Sequence, residues 1–177
     1  MIKYKQSDTG FTESNINLIL DNEFSEIDVN YFIKNYKISK VFYGKFFIKR
    51  LIKKIFKYKL TNSFVWNKNF WDNIQIIKVN AKVLLKKKIN SSEEFKEILN
   101  KNYSNKRLIN IYKYKKLILK GESLGQPLYI TGSCLNILGA NINKNEIFML
   151  DGSRRLCAHL IAEVNDINII LIKLNFE

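Results

Sequence analysis

The chain of 177 residues has one proline, seven glycines, two cysteines and a single histidine. So little proline and glycine excludes a low-complexity or collagen-like chain, and the 46% of apolar residues is enough for a buried core. Cys134 and Cys157 give neither a disulfide framework nor a metal-ligand spacing, which points to a reducing, cytoplasmic setting. Nowhere do about 18 uncharged apolar residues run together, so no membrane-spanning helix is expected. The opening MIKYKQSDTG lacks the apolar stretch of a secretory signal, and none is expected. The motifs GxxxxGK[ST], HExxH and CxxC are missing, which leaves P-loop and zinc chemistry without support. At this length one domain is expected, large enough to be stable without disulfides or metals.

What the chain has in plenty is positive charge. Thirty Lys and Arg stand against 16 Asp and Glu, for a formal net charge of +14, and they are unevenly placed. Residues 1–33 carry two Lys against six acids, residues 34–120 carry 24 basic residues against four acids, and residues 121–177 carry four against six. A basic middle of this kind suits nucleic acid, through residues 34–120, or an anionic membrane surface. Lys, Asn and Ile are heavy throughout, so compositional drift explains the same excess without a partner.

Taken in order, residues 1–30 are polar and acidic, with one apolar patch at Ile16–Leu20. From Tyr31 to Leu60 the aromatic and aliphatic residues Phe42, Phe46, Phe47, Leu51, Ile55 and Tyr58 fall near helical spacing among lysines. That pattern is expected to form a basic amphipathic helix, which packs on a core, lies on a membrane or tracks a nucleic-acid backbone. Thr61–Asp72 reads as a loop studded with Trp66, Phe70 and Trp71. Asn73–Leu85 alternates as a strand. Ser91 and Glu94 have the spacing of a capping box that opens a helix, and Tyr103–Lys120 is a second helical pattern. Five of the seven glycines and the proline lie between Gly121 and Gly152. Pro127–Ile130 reads as the start of a strand, Thr131–Ala140 as a β excursion or loop, and Asn141–Asn145 as a turn. An α/β (α+β) class follows.

The stretch Glu146–Leu174, EIFMLDGSRRLCAHLIAEVNDINIILIKL, has the most chemistry. Ile147–Leu150 is a short apolar run, and Asp151-Gly152 is a turn dipeptide. Ser153 is an expected N-cap for a helix carrying Leu156, Leu160, Ile161 and Val164. Asn165-Asp166 is expected to stop that helix before the Ile-rich strand Ile167–Leu174. Gly152, Ser153, Arg154 and Arg155 at a helix start make an anion site, with a glycine where backbone approaches a ligand. Asp151 stands at its edge.

Two segments resemble one family. GQPLYI, Gly125–Ile130, is similar to the G-x-x-QP-L-x-V segment of the ParB N-terminal domain, whose superfamily includes sulfiredoxins and free-serine kinases. LDGSRRLCAHLIAEVNDINIILI, Leu150–Ile172, is similar to that family's strand, G-x-x-R turn, helix and strand. The resemblance spans roughly residues 74–177. It implies a small mixed sheet with flanking helices as a nucleotide-binding domain at 73–177, after an N-terminal extension at 1–72 that is largely helical and basic from residue 31. It also implies that Gly152, Ser153, Arg154 and Arg155 hold phosphates. Ser153 replaces the acid of partition proteins and the reactive cysteine of sulfiredoxins, so sulfinic-acid repair is not expected. The residues after Arg155 are taken up by one helix and one strand, so the helix-turn-helix of a partition protein is not expected either.

The leading expectation is a kinase-like phosphotransferase acting on a small hydroxyl-bearing substrate, with ATP or another nucleotide and Mg²⁺ as cofactors. In it Gly152–Arg155 and Gln126 bind the nucleotide, while Asp151, with Glu122, orients the hydroxyl, and Asp151 is a candidate Mg²⁺ ligand. Two alternatives stay open. One is a ParB-like nucleic-acid-binding protein or nuclease; the other is a nucleotide-gated module that docks on a membrane or partner through Tyr31–Leu60. Oligomeric state is not legible.

Overall fold

The computed structural model describes residues 4–8, 10–35, 68–138 and 140–177. Most of the basic stretch Tyr31–Leu60, and Trp66, lie outside the described residues. One sheet organises the rest. Its strands, in chain order, are β1 (Lys5–Gln6), β2 (Ile16–Ile27), β3 (Ile74–Leu85), β4 (Leu128–Thr131), β5 (Glu146–Asp151) and β6 (Asp166–Leu174). They lie side by side as β1-β5-β4-β6-β3-β2. The pairs β1/β5 and β4/β6 are parallel, and β2/β3, β3/β6 and β4/β5 are antiparallel, so the sheet is mixed as expected. Strands β1 and β2 precede the 72/73 boundary read from the sequence, yet they pair with β5 and β3 of this one sheet.

Helices cover both faces. One core is built from Phe95 and Leu99 of α4 (Ser92–Asn102), Ile111 of α5 (Asn105–Leu119) and Leu156, Cys157 and Leu160 of α7 (Ser153–Ile161). On the opposite face lie Phe32 of α2 (Val29–Asn35), Phe70 of α3 (Lys68–Asp72), and Cys134 and Leu135 of α6 (Gly132–Ile137). Central strand β6 feeds both cores, with Ile169 and Leu171 on one side and Ile170, Ile172 and Leu174 on the other. A strand buried on both faces reads as a continuous apolar run, which is what Ile169–Ile172 is at its centre.

Several local expectations change. The polar N-terminal segment holds α1 (Phe11–Asn15) and the twelve-residue β2, well beyond the patch at Ile16–Leu20. Part of the aromatic loop is the short helix α3, where the rings of Phe70 and Trp71 meet edge-on at 5.4 Å. Within Thr131–Ala140 the segment Gly132–Ile137 is the helix α6 rather than a loop or β excursion. Thr131 ends β4, and its hydroxyl caps α6 by accepting from the Cys134 N–H. Helix α7 ends at Ile161, before Asn165-Asp166, and Glu163 turns the chain out at φ +59°.

Candidate functional site

Strand β5, Gly152 and helix α7 follow one another as the turn pattern requires. Gly152, not Ser153, is the N-cap, and it sits at φ +112° in the left-handed region. A Cβ there would lie 2.5 Å from the Pro127 Cβ. The glycine is therefore demanded by backbone shape and by Pro127, which packs against the side where a Cβ would stand.

Ser153 begins α7, and its hydroxyl turns to the N-terminal segment and to α5. It lies 2.8 Å from Thr12 Oγ1 and accepts from Arg107 Nη2 at 2.6 Å. Thr12 Oγ1 also lies 3.0 Å from the Tyr103 hydroxyl, and the Arg107 guanidinium stacks 3.9 Å above the Tyr103 ring. Below this network are fully buried groups. Burial, with the Glu13 carboxylate second, pushes the Tyr129 phenol well above its usual value. Burial likewise raises the Cys157 thiol to about 12, so it is an unreactive packing group.

The two adjacent arginines diverge, as neighbours about 100° apart on a helix must. Arg154 is exposed. Arg155 folds back and donates from Nη2 to Asp151 Oδ2 at 2.6 Å, while its Nη1 lies 3.0 Å from where a Gly125 Cβ would stand. Gly125 thus leaves room for the guanidinium, and it also lines a groove of about 250 Å³ that contains Glu122, Gln126 and His159. The arginine turn and this groove meet at Gly125. Asp151 is on the turn side and is not part of the groove lining that holds Glu122. His159 Nδ1 lies 3.1 Å from the Val164 carbonyl, and burial holds its pKa below the usual imidazole value.

Sequence reasoning missed Thr12, Tyr103 and Arg107. A signal was available for the last. Only four of the 30 basic residues are arginine, and three of them, Arg107, Arg154 and Arg155, gather at the first turn of α7. Arginine holds phosphate and carboxylate through a planar fork that lysine cannot reproduce, so this choice in a lysine-rich chain is informative. Among the described residues no group of three or more His, Cys, Asp and Glu could hold a metal ion. Within the same residues no helix is long and apolar enough to cross a membrane. Compared with protein-family models, curated proteins and solved structures, the chain finds no match.

Proposed function

We propose that this protein is a kinase-like phosphotransferase that holds nucleotide phosphates at the first turn of α7 and passes a phosphoryl group to a small alcohol. The gathering of three of the four arginines around Gly152–Arg155 supports this most directly. Arg107 and Arg155 come from different elements and approach one helix start, where free N–H groups and the helix dipole already favour anions. Arg154 adds an exposed charge for the outer phosphate oxygens. In the resembled family this same turn holds phosphates, and the DGSRR run supplies the likeness. Gln126, which lines the groove next to Gly125, would bond the nucleotide's polar edge.

Chemistry of this class is mostly positioning and charge neutralisation. The acceptor would lie in the groove beside Glu122 with its hydroxyl at the Gly125 end, where the groove meets the arginine turn and Asp151 takes the proton. As the acceptor oxygen bonds to phosphorus, the bond to the departing nucleotide oxygen breaks, and the arginines carry the charge left on it. A Mg²⁺ would be held by phosphate oxygens and one carboxylate, Asp151, because few protein ligands are needed when phosphates supply the rest.

In an isothermal titration, a nucleotide with Mg²⁺ should bind the intact chain, and Arg155→Ala should weaken it at least tenfold. Unchanged affinity in that variant sinks the reading. One observation favours a second reading. Lys106, Lys113, Lys116 and Lys120 are all exposed and share one face of α5 and its C-cap, as a nucleic-acid backbone track would require. Salt-steep duplex DNA binding that survives Arg155→Ala would favour it.

A further inference from the structure

The groove beside the arginine turn has the opposite electrical character. Its volume is about 250 Å³, room for roughly eight water-sized groups at about 30 Å³ each. Two carboxylates line it, Glu122 from the loop after α5 and Asp166 from the start of β6. Among the described residues no lysine or arginine lines it, in a chain with 30 of them. Nor does its histidine supply a positive charge. Burial keeps His159 neutral at pH 7, and Nδ1 faces the Val164 carbonyl, which leaves Nε2 as an acceptor. Asn168 adds a further polar group, while Ile118 and Ile167 give an apolar wall.

We propose that this groove binds a small amino alcohol that carries no carboxylate of its own. Its ammonium is recognised by Glu122 and Asp166, its methylenes rest on Ile118 and Ile167, and its hydroxyl lies toward the Gly125 end of the groove. A bare metal ion fits less well, because the apolar wall offers it nothing and no three-ligand cluster exists among the described residues. An anionic ligand would face two carboxylates and no lysine or arginine among the lining residues. The amino alcohol's role as phosphoryl acceptor rests on the phosphotransferase reading; its binding does not.

The probe is 3-aminopropan-1-ol, titrated by calorimetry into the full chain at low salt. It is compared with the neutral propane-1,3-diol, the anionic 3-hydroxypropanoate and the zwitterionic 3-aminopropanoate. The expected result is binding of the amino alcohol at least tenfold tighter than of the other three. Glu122→Gln combined with Asp166→Asn should abolish that preference while circular dichroism shows an unchanged fold. If the double variant does not fold, each single substitution should lower the affinity several-fold. Equal binding of the diol or of 3-aminopropanoate, or variants that bind as the parent does, overturns the proposal. Nucleotide binding is measured on the same samples. Nucleotide without amine binding sinks only this proposal, and amine without nucleotide binding sinks only the phosphotransferase reading.

Discussion

Gly152 shows how one residue can answer to two demands at once. Its φ of +112° is a conformation that L side chains rarely adopt, and its missing Cβ is what lets Pro127 pack against the turn. Gly152→Ala should therefore cost both backbone strain and a steric clash, about 2–4 kcal/mol together. Urea unfolding would measure the loss; a change below about 0.5 kcal/mol would mean that the turn relaxes freely. A special glycine at this position was legible from the DG dipeptide. Its neighbour was not, because Pro127 lies 25 positions upstream and only the β4/β5 pairing brings it close. Ser153 was misread for a related reason. A serine before a helical pattern is normally a cap, but Arg107 and Thr12 claim its hydroxyl, and both are remote in sequence. The site residues that local pattern revealed are those on the turn itself.

Elements whose signals are local were readable. Ser91 caps α4 by accepting from the Glu94 N–H at 3.1 Å, and the Glu94 carboxylate returns to the Asn90 N–H at 2.8 Å, one residue before the expected partner. Ser91→Ala should destabilise the protein by about 1 kcal/mol, seen as a lower urea midpoint with an unchanged slope. Strands β3, β5 and β6 and helices α4 and α5 likewise follow from periodicity and capping residues. Helix α6 did not, because GSCLNI has a glycine and few strong helix formers. Its stability comes from Cys134 and Leu135, which are fully buried in the core that Phe32 and Phe70 also enter. Strand β2 was hidden for the reverse reason. Its second half, Asp21–Ile27, is mostly exposed and acidic, and pairing with β3 rather than burial defines it.

For the molecule as a whole, the two cysteines are natural reporters, since they lie in the cores on opposite faces of the sheet. Burial holds both thiols up at about 12, so neither is a thiolate at pH 8 in the folded state. If both faces unfold as one unit, Cys134 and Cys157 should react with a thiol-labelling reagent at the same rate, set by opening of the sheet. Labelling of Cys134→Ala and Cys157→Ala proteins would compare the two sites, and rates that differ more than tenfold would mean that one layer opens by itself. The sheet's outer border has a consequence for behaviour in a crowded solution. Among the described residues strand β2 ends the strand order, a place where a foreign strand can add and seed aggregates. Asp21, Glu23 and Glu26 project from it, and its register with β3 slips between Leu20 and Phe24. Like charges repel a second copy, and the irregular backbone denies it a straight template, so this rim resists amyloid-like stacking despite the exposed Ile19 and Phe24.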